Sequence, residues 1–297
     1  LSDLAAGQLQ HMHLAPNRTV DWDDIAGFQY LTHPRDGDRF PELSVREYRD
    51  AVGDWADVSF DDFKKHDLFV HLASSDSTLS WKVWRCLTYE TEFGDSRYVF
   101  TLGRWYKIDK DFVRRVTNDV KRIPESDLKL PNCEVNTEGE YNEFVASSLP
   151  GLFLLDKLHV RSPSARTDIE PCDLLSSKCH MIHVKQKHSS ANLSHLFAQG
   201  RISAEALSRD PEFRQELRHK AMEKRSIDLS FMPLGDDYQS SRISIVFAII
   251  DESLNTLEKS LPFFSLLNLR QAYVHLSEMG YPVFVTKVLK TYVQEST

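Results

Sequence analysis

Apolar and polar positions change rhythm several times along the chain, and each change predicts an element. "SVREYRDAV" (44–52) has the spacing of a short amphipathic helix, and "SFDDFKKH" (59–66) opens like a capped one. "DLFVHLA" (67–73) is strand-like. "WKVWRCLTYETEF" (81–93) and "RYVFTLGRWYKID" (97–109) are rich in aromatic and β-branched residues, and "GDS" (94–96) between them predicts a hairpin. Trp81, Trp84, Trp105 and Tyr106 invite a base-stacking role, but core or cross-strand packing is the expectation for such residues. Phe112, Val113, Val116 and Val120 then recur at helical spacing.

"PESDLKLPNCEVN" (124–136) has the composition of a linker, which divides the chain into domains 1–124 and 125–297. Beyond it, Thr137 and Glu140 fit a capping box. The following helix is expected to bury Tyr141, Phe144, Val145 and Ser148 and to stop at Gly151. "LFLLDKLHV" (152–160), "DIEPCDLL" (168–175) and "CHMIHVKQ" (179–186) predict three strands, the last two joined by a turn at "SSK". Amphipathic helices are expected over 190–207 and 211–225. A doubly buried strand follows over 241–250, a helix over 262–280 and a closing strand over 281–289. The fold class is therefore α/β in its second half and α+β overall. A smaller N-terminal α+β module precedes a mixed sheet flanked by helices.

Composition narrows the class of protein. The 297 residues are 41% hydrophobic and 27% charged, enough for a packed core. No run approaches the roughly 20 apolar residues of a membrane-spanning helix. The first residues lack the pattern of a signal peptide, and the chain opens without Met, as a fragment of a longer one would. Four cysteines make no disulfide scaffold and point to a cytoplasmic protein. The net charge of −8 argues against strong non-specific nucleic-acid binding. Residues 151–230 nevertheless carry a slight excess of Lys and Arg and half of the histidines, so a local basic surface is compatible with a phosphate backbone.

The densest chemistry lies in "CDLLSSKCHMIHVKQK" (172–187). Cys172, Cys179, His180 and His183 lack the paired spacing of a structural zinc site, and the cysteines are expected to be small buried hydrophobes. In a strand, alternate side chains share a face. Ile182 and Val184 then enter a core, while His183, Lys185 and Lys187 share the opposite face and His180 points away from them. Asp173, late on the preceding strand, comes within reach of His183 and Lys185 if the two strands pair. The bland alternatives stand beside this one. Asp173 would be a turn acid, Lys185 a solvated lysine, His183 a hydrogen-bonded histidine, and Glu140 and Glu143 a solvated, capping helix face. Asp156-Lys157 suggests a salt bridge or turn. The basic helix "RQELRHKAMEKR" (214–225) is expected to face solvent, and the helix start after His188 is a possible phosphate receiver.

The element order, with Glu143 on the leading helix, Asp173 in "PCD" and Lys185 in "HVK", resembles the PD-(D/E)XK nuclease superfamily over roughly residues 137–290. The resemblance implies a restriction-endonuclease-like core in which acidic ligands hold a divalent metal, Mg²⁺ or Mn²⁺, beside the scissile phosphate and a lysine positions water. Asp173, His183 and Glu143 would be the metal ligands, and Lys185 would join them as the fourth catalytic residue. His183 stands where that superfamily has an acid. This implies a Mn²⁺-preferring enzyme, a second acid from Glu140, Glu143 or Glu170, or a domain that binds nucleic acid without cutting it.

A second resemblance rests on "LLDKLHV", "IEPCDLLSSKCHMIHVKQK", "SHLFAQGRISAEAL" and "GRWYKIDKDFV". These runs are similar to those of a sporadically distributed bacterial family with a domain of unknown function, whose patchy occurrence suggests phage defence. The combined expectation is a metal-dependent nuclease acting on DNA rather than RNA, with no membrane partner. The alternative is an inactive nuclease-like module that binds nucleic acid or a protein.

Overall fold

The computed structural model describes residues 2–9, 12–15, 25–31, 39–40, 43–74, 77–162, 168–187 and 190–291. They group into two compact units, one covering the chain up to Arg114 and the other Arg115–Lys187 and the chain from Asn192 on.

The first unit contains α1 (Ser2–Ala5), β1 (Met12–Leu14), β2 (Ile25–Tyr30), α2 (Val45–Val52), α3 (Phe60–Phe63), β3 (Asp67–Leu72), β4 (Thr78–Lys82), α4 (Val83–Cys86), β5 (Leu87–Phe93), β6 (Ser96–Thr101) and β7 (Arg104–Ile108). Antiparallel strands form two sheets, ordered β2-β3-β4 and β1-β5-β6-β7. The hairpin expected around residues 94–96 is β5–β6. Each flanking run is interrupted, however. Val83–Cys86 form a helical turn, and Leu102-Gly103, both at positive φ, turn β6 into β7. Trp81 is core, while Trp105 is 55% exposed and lies across from Phe100, ring centroids 5.3 Å apart, in the cross-strand packing expected of it. Ser44 caps α2 by accepting from the Glu47 N–H, and Tyr48 and Phe63 pack into the unit's core.

Helix α5 (Lys110–Lys121) carries the chain across the division between the units and buries Val116 and Val120. The segment 124–136, read as a loop or linker, is a loop that lies along the edge of the second unit's sheet. Val285 donates to the Pro124 carbonyl, and Cys133 donates to that of Leu289.

The second unit contains α6 (Glu138–Ser148), β8 (Leu152–Leu154), β9 (Val160–Arg161), β10 (Asp168–Ile169), β11 (Leu174–Ser176), β12 (His180–Gln186), α7 (Ser190–Arg209), α8 (Pro211–Arg225), β13 (Ser244–Asp251), α9 (Leu257–Ser260), α10 (Phe263–Glu278) and β14 (Val283–Leu289). Its main sheet is ordered β14-β13-β12-β11-β8. β11 runs antiparallel to both neighbours, and β12, β13 and β14 are parallel. The fold is thus mixed α+β, with a mixed sheet flanked by helices. Ile182, Val184, Val246, Ala248 and Ile250 pack on Tyr141 and Val145 of α6 on one face. On the other face, His183 and Phe247 pair in register, and Phe197 of α7 meets Phe247 edge-on.

Two of the expected strands are broken. The run 152–160 splits into β8 and β9 at an Asp156-Lys157 turn in which Lys157 takes φ +59°. The run 168–175 splits into β10 and β11 across Glu170–Asp173, where Pro171 has no N–H to offer a ladder. Both breaks fall beside the start of β11, and the candidate chemistry collects there.

Candidate functional site

The capping box at the start of α6 forms as its residues require. The Thr137 hydroxyl accepts from the Glu140 N–H, and the Glu140 carboxylate accepts from the Thr137 N–H at 2.9 Å. Glu140 is thereby taken up in capping. The helix buries Tyr141, Asn142 and Val145, while Phe144 (45% exposed) and Ser148 lie outside the core, so the buried face is rotated from the expected one. Glu143 is exposed and is not among the acids that converge. Glu138 and Asn142, one helical turn apart, are the α6 side chains that reach the other candidate residues.

Three carboxylates converge at the breaks. One oxygen from each of Asp156, Glu170 and Asp173 lies within 4.8 Å of the other two. Asp173 is held from both sides of the β11–β12 pairing. Its N–H donates to the Ile182 carbonyl, and its Oδ2 accepts from the Val184 N–H at 2.7 Å. Glu170 accepts from the Lys157 N–H at 2.5 Å, a bond that the left-handed turn at Lys157 brings about, and from Gln199 Nε2 of α7 at 3.3 Å. Asp156 accepts a long bond from Asn142 Nδ2, 3.5 Å. The Lys157 ammonium lies 3.9 Å from Asp156, so the expected ion pair and turn are both present and the acid joins the cluster as well.

The basic residues of α8 fasten this turn from outside. Arg225 donates to the Asp156 carbonyl at 2.7 Å and Lys220 to that of His159 at 2.9 Å. Arg214 and Arg218 cap the carbonyls of Leu207, Leu234 and Met232. The helix faces solvent over most of this stretch, as expected, and its long cations reach back to tether neighbouring loops.

Lys185 lies at the far end of β12. Its Nζ donates to Glu138 Oε2 at 2.7 Å, and Oε1 of the same carboxylate accepts from the Gln186 N–H at 2.8 Å. The Lys185 charge also acts on Glu170 and opposes the rise of its pKa. The site therefore has an acidic side (Asp156, Glu170, Asp173) and a cationic neighbour held by Glu138. Burial pushes the Asp173 carboxyl well above the ordinary carboxylate range, and the adjoining Glu170 charge and contact with Asp156 push the same way. Burial likewise raises Glu170.

His183 is not part of it. Its ring is 1% exposed and tilted against Phe247, centroids 6.1 Å apart, with Gly200 of α7 close by. Burial pushes its pKa down to about 3, and among the described residues its Nε2 has no hydrogen-bond partner. Strand alternation placed it correctly on the Lys185 face. α7 then covers that face at residue 183 but leaves it partly open at 185, which alternation alone does not reveal. His180 faces the other way, as expected, and Cys172 and Cys179 are buried free thiols. Among the described residues no Cys or His joins a group able to hold a metal ion. The helix start at His188-Ser189 lies outside the described residues.

One other arrangement has suggestive distances. Ser176 Oγ is 2.8 Å from His180 Nδ1, and His180 Nε2 is 3.8 Å from Asp127. The serine hydroxyl already accepts from the Lys178 and His180 N–H groups and is 3% exposed, so it clamps the β11–β12 turn and offers no accessible nucleophile.

Sequence reasoning assigned Asp173 and Lys185 to the site, held Glu170 as an alternative acid, and gave Asp156 a turn role. It missed Glu138, Asn142 and Gln199. The i, i+4 spacing of Glu138 and Asn142 was the available signal, but Phe144 drew the assignment of the buried face away from them. No described helix is long and apolar enough to cross a membrane. No curated protein and no solved structure matches the chain. A family model does match it, over residues 1–289, and the chain belongs to that family, DUF6119, a family of unknown function.

Proposed function

We propose that the protein is a metal-dependent phosphodiesterase of nuclease type, acting on nucleic acid and on DNA in the first instance, with phage defence as its setting. The observation that carries the reading is the convergence of Asp156, Glu170 and Asp173 at one end of a mixed sheet whose neighbouring strand presents Lys185. The element order, a helix, three antiparallel strands, helices and a parallel strand, supports it by its likeness to the nuclease core.

The donor set fits a hard cation, because all three groups are carboxylates and the imidazole of His183 is sealed away. Mg²⁺ therefore suits the site at least as well as Mn²⁺. Such a cation, when bound, supplies Lewis-acid stabilisation of the phosphoryl oxygens. Asp156, Glu170 and Asp173 would hold it. Lys185 would orient the attacking water and offset charge developing on the phosphate, and Glu138 would keep its ammonium aimed. The test is cleavage of DNA and RNA in Mg²⁺ and in Mn²⁺, with Asp173→Asn and Lys185→Ala beside the wild type. Cleavage that survives both substitutions unchanged sinks the reading.

One observation favours a non-catalytic second reading: Asp173 is 8% exposed and one of its oxygens is taken by the Val184 N–H. A binding module would show salt-sensitive nucleic-acid binding and no turnover in either metal.

A further inference from the structure

The acidic cluster has a neighbour with an unmet requirement. Asn142 is 1% exposed; among the described residues its Nδ2 makes only the long contact with Asp156, and its Oδ1 has no hydrogen-bond partner. A buried amide oxygen without a donor is destabilising. The amide that faces Asp156 through its Nδ2 thus carries an oxygen that calls for an electropositive partner.

The two ends of a planar amide exchange by half a turn about the last side-chain bond, and the local charge decides which end faces inward. Facing carboxylates alone, the NH₂ end turns toward Asp156. With a divalent cation among Asp156, Glu170 and Asp173, the sign of the field reverses and the oxygen end is favoured.

We propose that Asn142 is the neutral oxygen donor of the cation site and joins the three carboxylates directly or through a cation-bound water. This rests on the metal-dependent reading above and adds a residue from α6 to it. It also accounts for a polar side chain on the buried face of that helix, between Tyr141 and Val145. Three carboxylates and an amide form an all-oxygen set, the chemistry of Mg²⁺, Mn²⁺ or Ca²⁺ and not of zinc.

The experiment is calorimetric titration of the full chain with Mn²⁺ alone, backed by thermal unfolding in a chelator. Asn142→Leu keeps the size and removes the oxygen. It is expected to raise the Mn²⁺ Kd by about tenfold or more, as loss of a supporting group does at metal sites, without lowering the melting temperature in chelator. Asn142→Asp keeps an oxygen and adds charge, so it is expected to bind Mn²⁺ at least as tightly as the wild type while losing stability in chelator. If Asn142→Leu does not fold, the Asn142→Asp titration decides. Both variants within twofold of the wild type, or Asn142→Asp binding tenfold more weakly, overturns the role of Asn142. A wild type that binds no Mn²⁺ overturns instead the metal reading beneath it.

Discussion

Glu138 Oε2 accepts from Lys185 Nζ at 2.7 Å while its other oxygen accepts from the Gln186 N–H. A single carboxylate at the first turn of α6 thus fixes both the end of β12 and the Lys185 ammonium. Glu138→Ala removes both bonds. Hydrogen bonds to charged groups contribute about 1.5–3 kcal/mol when sheltered, and these side chains are about a fifth exposed, so a loss of about 1–2 kcal/mol in urea unfolding is expected after discounting for screening. Mn²⁺ affinity should change little, because Glu138 is not one of the three clustered acids. A fall in cation affinity matching that of Asp173→Asn would show that Glu138 is itself a ligand.

The protonation of the cluster makes stability depend on pH in an unusual direction. Asp173 and Glu170 have folded pKa values raised above their unfolded ones. In the window between the two values the folded state holds more protons than the unfolded state, so stability falls as pH rises. The contribution is complete below the ordinary carboxylate range and is lost as pH climbs through the raised values. In chelator, the melting temperature should decline from mildly acidic toward neutral pH. Mg²⁺ should reverse the decline and release protons on binding, and Asp173→Asn should flatten it. A chelated wild type that gains stability over that window contradicts the assignment.

Asp251 works in the opposite sense. Burial pushes its carboxyl up, but bonds from Ser260 and the Ser253 N–H and the charge of Lys187, 3.1 Å away, outweigh that and hold it below its ordinary value. Its contribution is present above the unfolded pKa and is lost as pH falls through the folded one. Asp251→Asn should therefore lose stability at neutral pH and show a weaker further loss in acid than the wild type does. Equal acid sensitivity of the two, followed by circular dichroism, would refute it.

His183 tests the nuclease resemblance directly. The resemblance would have an acid there, yet His183 is buried beside Phe247. His183→Asp buries a carboxylate without a partner and is expected to cost several kcal/mol or to prevent folding, with no gain in cation binding. His183→Leu removes an orphaned nitrogen and is expected to be neutral or stabilising by up to about 2 kcal/mol. Loss of Mn²⁺ binding in folded His183→Leu would return the histidine to the site.

Much of this was legible locally. The capping box at Thr137, the α7 and α8 helices, the doubly buried β13 and the opposite facing of Ile182 and His183 follow from patterns a few residues long, because dihedral periodicity is a local property. Asp173 and Lys185 were legible too, one at a strand end and one in alternation. The breaks at Asp156-Lys157 and Glu170–Asp173 were not, since apolar residues on both sides of each suggest one continuous strand.

The amino-acid sequence by itself determined the order of the main helices and strands of the second unit, the family, and the residue types able to hold a cation. It also set which side chains share a strand face. Only the tertiary structure decided which acids meet. Two interrupted strands place Asp156 and Glu170 beside Asp173, α7 covers the face at His183 but not at Lys185, and the rotation of α6 turns Asn142 and Glu138 inward and Glu143 outward. The physical reason is that convergence depends on where a strand stops and what packs over it. Both are set by contacts between residues far apart in the chain, which no local period encodes.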